Sequence, residues 1–259
     1  MTNPVWDPQA YLRFEAERAR PWFDLLARVE ALDPRRVVDL GCGPGHLTAD
    51  LARRWPGAEV LGFDSSAEMV ARARAEVVVP RVRFEVVDAR AWRAPEPVDV
   101  LVSNAVLQWI PGHVALLPSL VAQVAVGGWL AVQVPANFGA ATHALVRELR
   151  ARPGWVGRVP ELVEPGSEPP QRYLEVLAGA GCRVDVWQTE YLHVLAGEDA
   201  VLRWMEGTGL RPVLQALGAA EAEEFRAQYG ELLREAYPRR DFGTVLPYRR
   251  TFAVAQRVR

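Results

Sequence analysis

The chain has 259 residues, with 50% apolar and 24% charged side chains and a formal net charge of −2. It is long enough to bury a sizeable hydrophobic core, and it has no run approaching the roughly 20 apolar residues that would span a bilayer. Its slightly acidic balance provides no positive field for nucleic acid or anionic lipid. We therefore predict a globular protein with no nucleic-acid partner and no membrane association.

The cysteines and the basic residues indicate the redox compartment of the protein and limit the groups that can bind an anion or react. Cys42 and Cys182 lie far apart, and the opening MTNPVWDPQAYLRF has neither a basic region nor an apolar signal stretch, so we expect a reduced, cytoplasmic protein. All 30 basic residues are arginine. Any bound anion must therefore be held by guanidinium groups or backbone amides, and lysine Schiff-base chemistry is excluded. The four histidines show no metal-ligand spacing, so no metal site is predicted.

The first 32 residues are mostly helical in pattern. Asp7-Pro8 predicts the start of a helix, Pro21 predicts an interruption, and the apolar periodicity continues to Val29 before Asp33-Pro34 ends it. We expect residues 1–32 to form N-terminal lid helices.

From residue 33 to residue 135, short apolar runs alternate with helical patterns of about ten residues. Continuous apolar strands separated by such helices are typical of a parallel sheet covered on both faces. This region is therefore predicted to be a doubly wound α/β, Rossmann-like sheet. Its predicted strands are 36–40, 60–63, 82–87, 98–103 and 129–134, with helices near 47–54, 67–76 and 113–123.

After Pro135 the pattern changes. A helix near 142–150 is followed by a loop at 152–170 that is too rich in proline and glycine for regular structure. We expect residues 136–259 to complete a seven-stranded sheet and to add helical cap insertions, all within a single domain. The expected elements are helices at 174–180 and within 199–237, and strands at 183–191 and 248–256.

A glycine-rich turn, Gly41-Cys42-Gly43-Pro44-Gly45-His46, directly follows the first predicted strand. Glycines permit positive φ and close approach of a ligand, and free amides at a helix start attract negative charge. Asp64 ends the second strand, 19 residues after Gly45, where a carboxylate can accept hydrogen bonds from both hydroxyls of a ribose. The pattern favours a nucleoside ligand, although Asp64 could instead cap the helix from Ala67.

Two common nucleotide sites fit this turn poorly. The dinucleotide fingerprint requires its third glycine where His46 stands, which disfavours a nicotinamide-dependent oxidoreductase. The Walker pattern requires a lysine after its last glycine, and the chain contains none.

Four markers in order resemble the class I S-adenosylmethionine-dependent methyltransferases: Asp39-x-Gly41-x-Gly43-x-Gly45, Asp64, Asp88 after the third strand, and Ser103 to Trp109 after the fourth. The resemblance implies that residues 33–135 bind S-adenosylmethionine, with Asp64 on the ribose and Asp88 and Ala89 at the adenine. Asp88 could alternatively be a simple turn acid. The implied cofactor-binding residues are Asp39, Gly41, Cys42, Gly43, Gly45, Asp64, Ser65, Met69, Asp88, Ala89, Asn104, Tyr11 and Arg18.

Other stretches are similar to a narrower family, the bacterial trans-aconitate methyltransferases. They include Trp6-Asp7-Pro8, the run Ser103 to Trp109, Ala131 to Pro135 with Asn137, Thr208-Gly209-Leu210 and Pro247 to Arg250. This resemblance implies methyl transfer from S-adenosylmethionine to a carboxylate of trans-aconitate, giving a monomethyl ester and S-adenosylhomocysteine.

A polycarboxylate acceptor fits the absence of an evident catalytic dyad. Its carboxylates are ionised near neutral pH and need no general base, so the protein must supply alignment and charge balance. No catalytic residue is predicted. Arg249 and Arg250 are adjacent on a strand and point to opposite faces, so only one of them can face a site. The positioning candidates are Gln108, Trp109, Arg18, Arg249, Arg250 and Arg211, although each arginine could equally be a solvated surface residue and Trp109 a core residue.

The sequence is also compatible with other functions. A methyltransferase of the same fold could act on a different small metabolite, and a binding protein could retain the nucleoside pocket without catalysis. A nucleic-acid methyltransferase is disfavoured by the charge and by the Ser-Asn-Ala-Val turn at residues 103–106. The sequence does not define the oligomeric state, and a monomer is compatible with it.

Overall fold

The computed structural model describes residues 15–159 and 165–259. Helices and strands alternate through most of this part of the chain. The helices are α1 (Glu15–Leu26), α2 (His46–Arg54), α3 (Ala67–Glu76), α4 (Leu117–Gln123), α5 (Ala141–Ala151), α6 (Pro170–Gly179), α7 (Ala200–Glu206), α8 (Arg211–Ala216) and α9 (Ala219–Ala236). The strands are β1 (Arg36–Leu40), β2 (Glu59–Asp64), β3 (Val82–Val86), β4 (Val98–Asn104), β5 (Val124–Pro135), β6 (Cys182–Leu195) and β7 (Thr244–Arg257).

Seven strands form one sheet in the order β3-β2-β1-β4-β5-β7-β6. The first five strands pair in parallel, and β7 runs antiparallel to β5. β1 and β4, in the middle of the parallel part, are buried at nearly every position, as expected for strands covered on both faces. The predicted α/β class and the completion of the sheet by the last two strands are confirmed.

The first of two compact units holds the glycine-rich turn and all five parallel strands. It comprises residues 19–135, 167–188 and 250–259. Buried aliphatic side chains such as Val38, Leu101 and Leu130 form its core, together with Tyr173 of α6.

The second compact unit is mainly helical. It comprises residues 1–18, 136–166 and 189–249, as far as these are described. Trp155, Trp204, Phe225 and Tyr229 are buried in its core. The predicted organisation as a single domain stays a prediction.

Two local predictions are wrong. α1 continues through Pro21, where an interruption was predicted, and it ends at Leu26 rather than Val29. Proline removes one backbone hydrogen bond from a helix, and the buried Trp22 and Leu25 keep this segment packed. β5 begins at Val124 rather than near Trp129, because a register shift beside the Gly127-Gly128 pair lets the strand pass through a break in its apolar pattern.

No helix within residues 15–159 or 165–259 is long and apolar enough to cross a membrane.

Candidate active site

The glycine-rich turn joins β1 to α2. Gly41, Gly43 and Gly45 have positive φ angles of 91°, 53° and 85°. A Cβ at Gly41 would overlap the side chain of Val106, and one at Gly45 would lie 2.7 Å from Phe84 Cζ. A Cβ at Gly43 would meet no atom within 4 Å. Packing requires glycine at the first and third positions, whereas at Gly43 the bare backbone borders open space.

The amides of Gly41, Cys42, Gly43 and Gly45 are bonded within the protein, whereas the free amides predicted at the helix start are those of α2, which begins at His46. The N–H groups of Gly41 and Cys42 donate to the Phe63 carbonyl at 2.6 and 2.9 Å, and that of Gly45 donates to the Cys42 carbonyl. The Gly43 N–H donates to Asp64 Oδ2 at 2.9 Å. Because these four N–H groups already have acceptors within the protein, the turn contributes the shape of its backbone to the site rather than free hydrogen-bond donors.

Asp64 ends β2, as predicted, and its carboxylate organises the turn. Oδ2 accepts the Gly43 N–H, and Oδ1 accepts the Ser66 N–H at 2.8 Å. The N-cap of α3 is Ser66, whose Oγ accepts the Met69 N–H at 3.3 Å. Burial raises the pKa of Asp64, and the hydrogen bonds from Ser66 and Gly43 oppose that rise. A carboxylate has about four lone-pair positions, so some remain for ligand hydroxyls.

Asp39 lies beneath the turn and does not offer its carboxylate to a ligand. Its side chain is 2% exposed, and Oδ2 accepts a 2.6 Å hydrogen bond from Thr48 Oγ1. Burial raises the pKa of Asp39 to about 7, opposed by the Thr48 hydrogen bond and reinforced by the negative charge of Asp64. Asp39 therefore connects β1 to α2, and the direct cofactor contact predicted for it does not fit this geometry.

The Cys42 side chain is also directed into the protein. Its buried thiol contacts the Gly43 carbonyl at 3.6 Å. Burial and the neighbouring carboxylates of Asp39 and Asp64 raise the pKa of the thiol. The Cys42 side chain therefore packs within the turn, and its predicted place in the cofactor site stays a prediction.

Asp88 follows β3 and is bonded to Arg90. Arg90 Nε lies 3.0 Å from both carboxylate oxygens, and the Arg90 N–H donates to Oδ1 at 2.8 Å. The Arg90 hydrogen bond lowers the pKa of Asp88 below its usual value. These bonds are compatible with a turn acid, the alternative that the sequence left open, and the predicted contact of Asp88 with adenine stays a prediction. The neighbouring predicted residues differ in exposure: Ala89 is half-buried, Ser65 is exposed and Met69 is buried.

The end of β4 places polar side chains inside the first unit. Ala105 has a φ of 58°, which is uncommon for a residue with a Cβ and is often found at functional sites. Its N–H donates to the Gln133 carbonyl, and its own carbonyl accepts a 2.6 Å hydrogen bond from Gln108 Nε2. Asn104 Oδ1 and Gln108 Oε1 are buried with no hydrogen-bond partner. Buried acceptors of this kind call for a donor from a bound ligand or water. Trp109 is half-buried in the same turn.

The two adjacent arginines of β7 point in different directions, as strand alternation predicts. Arg250 is 4% exposed, and its Nη1 donates to Gln133 Oε1 at 3.1 Å. Arg249 is exposed and forms an ion pair with Glu190 at 3.2 Å. Arg250 is therefore the member of the pair that fits a buried anion site.

The remaining candidates are less informative. Arg211 is half-buried and begins α8 in the second unit. Tyr11 lies outside the described residues, and the Arg18 side chain is likewise not described. No group of three His, Cys, Asp or Glu side chains in the described part of the chain is arranged to hold a metal ion.

Comparison with known proteins identifies the family. The family described as "Methyltransferase domain" matches residues 37–128. The chain is 51% identical to trans-aconitate 2-methyltransferase of Streptomyces avermitilis, covering 98% of this chain and 97% of that protein. It is 48% identical to the Streptomyces coelicolor enzyme of the same name, covering 99% of this chain and 88% of that protein. The chain belongs to the trans-aconitate 2-methyltransferase family.

Solved structures support the fold of this family member. An S-adenosylmethionine-dependent methyltransferase from Mesorhizobium loti superposes with a TM-score of 0.53 at 20% identity, covering 93% of this chain and 99% of that one. At this identity the likeness shows the class I methyltransferase fold alone.

One residue in the site was missed by sequence reasoning about individual side chains. Gln133 is a single amide within the buried apolar run of β5, and its side chain binds Arg250. A polar residue in the middle of a continuous apolar strand is a visible signal. The long separation between residues 133 and 250 hides its partner until the strand order is known.

Proposed function

We propose that this chain transfers a methyl group from S-adenosylmethionine to a carboxylate of trans-aconitate. The observation that carries this proposal is the 51% identity with a trans-aconitate 2-methyltransferase over 98% of the chain. That span includes nearly all of residues 129–259 as well as most of the matched methyltransferase domain. The alternative, a different small acid as acceptor, shares every feature of the cofactor half.

The residues of the turn region fit the cofactor. Gly43 leaves open space beside the backbone, Asp64 retains free lone pairs at the end of β2, and Asn104 presents a buried acceptor without a partner. In the proposal, Asp64 binds the ribose hydroxyls and Asn104 accepts from the methionyl ammonium group. Asp88 and Ala89 stay candidates for the adenine, with Ser65 and Met69 beside them. S-adenosylmethionine supplies an electrophilic methyl group on its sulfonium when it is bound.

The acceptor half of the reaction needs little proton chemistry. A carboxylate is already ionised near neutral pH, so its oxygen can attack without a general base. The protein must orient that oxygen, balance its charge and keep water out. Arg250 is the leading candidate for charge balance because it is a buried guanidinium on the first unit. Gln108 and Trp109 are candidates for shaping the site, and Arg211 and Arg18 stay candidates on the sequence alone.

A direct assay tests the proposal. The chain is incubated with methyl-labelled S-adenosylmethionine and trans-aconitate, and label is followed into an extractable ester. Parallel reactions use cis-aconitate, isocitrate and citrate. Selective labelling of trans-aconitate is the expected result. Cofactor binding by calorimetry with no label transfer to trans-aconitate would reject this acceptor and direct the search to other small acids.

The expectations from the sequence about partners, location and domain organisation are also proposals. A small-molecule acceptor with no nucleic-acid partner is supported by the net charge of −2. A cytoplasmic location is supported by the two cysteines, both of which are free. A single methyltransferase domain, with residues 1–32 as a lid and residues 136–259 as cap and sheet completion, is supported by the continuous match to full-length relatives.

A further inference from the structure

A polar cluster lies near the carboxyl ends of β4 and β5 in the first unit. Asn104 on β4 is directly opposite Gln133 on β5, and Gln133 is opposite Phe252 on β7. Arg250 is opposite Pro135, two positions further along β5. Residues two apart on a strand share a face, so Gln133 and Arg250 lie on the same face of the sheet. Ligands of open α/β sheets bind at this carboxyl edge.

The hydrogen bond between Gln133 and Arg250 fixes which end of the glutamine amide is free. A guanidinium has only donors, so the Gln133 atom that contacts Arg250 Nη1 at 3.1 Å is the oxygen. The amide nitrogen of Gln133 is therefore the remaining group, and Nε2 is buried with no hydrogen-bond partner. Gln133 itself is 0% exposed.

In the side-chain amides of Gln108 and Asn104, the oxygen is the group without a partner. Gln108 Nε2 donates to the Ala105 carbonyl, which leaves Gln108 Oε1 as a buried acceptor, and Asn104 Oδ1 is a second one. The end of β4 thus presents unpaired acceptors, which suit an ammonium group. The adjacent position on β5 presents an unpaired donor beside a buried guanidinium, which suits a carboxylate.

We propose that Gln133 is an acceptor-binding residue whose Nε2 donates to a carboxylate of the methyl acceptor. Its Oε1 simultaneously holds Arg250 for the same anion. This inference rests on the proposed function, because it assigns a residue to the polycarboxylate of that reaction. A buried donor left without a partner is costly, and a ligand carboxylate removes that cost for Gln133.

The deciding variant is Gln133→Glu, which has nearly the same shape. A glutamate still accepts from Arg250, but it replaces the donor with a negative charge that repels the acceptor. We expect the KM for trans-aconitate to rise roughly 10- to 100-fold, with the Kd for S-adenosylmethionine within about twofold of wild type. Gln256→Glu is the matched control, since Gln256 pairs with Trp129 further toward the amino end of β5, and its KM should not change.

Gln133→Met separates binding from folding. It removes the amide without adding charge, so it provides the same comparison where the glutamate variant fails to fold. A KM raised tenfold or more, with cofactor affinity and melting temperature preserved, supports the assignment. A KM within twofold of wild type in a folded variant overturns it. Wild-type enzyme that binds S-adenosylmethionine but fails to methylate trans-aconitate would instead refute the proposed function, and the assignment to this acceptor with it.

Discussion

The carboxylate of Asp64 accepts a 2.9 Å hydrogen bond from the backbone N–H of Gly43. This bond joins the end of β2 to the turn after β1, so two features that are separate in the sequence form one structural unit. The same carboxylate also accepts the Ser66 N–H at the start of α3. Loss of Asp64 therefore affects both the shape of the turn and the ligand contacts proposed for it.

Substituting Asp64 with alanine should weaken S-adenosylmethionine binding roughly 10- to 100-fold, because a charge-assisted hydrogen bond at a partly buried site is worth about 1.5–3 kcal/mol. Isothermal calorimetry measures this effect. Glu85→Gln, at an exposed position on β3, serves as the control. Unchanged affinity in a folded Asp64→Ala protein would exclude Asp64 from the cofactor site.

Gly41 and Gly43 should respond differently to alanine. At Gly43 the cost is that of a left-handed residue, about 1–2 kcal/mol, because the added methyl meets no atom within 4 Å. At Gly41 the methyl also overlaps Val106, which adds about 1–3 kcal/mol. Denaturant unfolding of the two variants measures the difference. Equal destabilisation would mean that Val106 moves aside freely.

Asp39→Asn should change how stability depends on pH. Asp39 has a pKa of about 7 in the folded protein, against its ordinary value of 3.8. The folded state thus holds a proton that the unfolded state has lost, so this group lowers stability as pH rises from about 4 to about 7. An asparagine stays neutral and can still accept from Thr48. Above neutral pH, we expect the free energy of unfolding of the variant to increase relative to that of wild type by up to about 4 kcal/mol.

Urea unfolding at about pH 5 and about pH 8 checks this linkage. Asp241→Asn makes the same substitution at an exposed position and controls for the change in net charge. A stability difference between Asp39→Asn and wild type that does not grow with pH would show that Asp39 is ionised in the folded protein across this range.

Substitutions of Arg249 and Arg250 should have different effects on the KM for trans-aconitate. Arg250→Gln removes a buried guanidinium and should raise the KM for trans-aconitate about 10- to 100-fold. Arg249→Gln removes one partner of an exposed ion pair with Glu190, a type of interaction worth about 0–1 kcal/mol, and should leave the KM nearly unchanged. Steady-state kinetics on the two single variants decide the matter. The reverse order of effects would place the acceptor against the exposed face.

The sequence predicted an element correctly where its residue pattern indicates a single type of structure. β1 and α3 match their predicted bounds because a continuous apolar run and a capped helical pattern each have one interpretation. Prediction failed at Pro21 and at Gly127-Gly128, where tertiary packing and a register shift override local preference. Neither effect can be read from neighbouring residues.

The site was predictable in its positions more than in its contacts. Asp64 lies where its spacing from the glycines placed it, but the hydrogen bond that its carboxylate accepts from the Gly43 N–H was not predicted. Asp39 matched the motif, but its carboxylate accepts a hydrogen bond from Thr48 Oγ1. A motif specifies which residue stands at a strand end, and hydrogen-bond partners depend on chain segments that the motif does not contain. The pairing of Gln133 with Arg250 is the clearest example.

The strand order has a consequence for how the chain reaches its native state during synthesis. β7 follows β6 in the sequence but lies between β5 and β6 in the sheet. Until residues 244–257 emerge from the ribosome, the edge of β5 exposes unpaired backbone groups along a markedly apolar strand, which is a known hazard for aggregation. We therefore expect a chain that ends before β7 to aggregate more readily than the full chain.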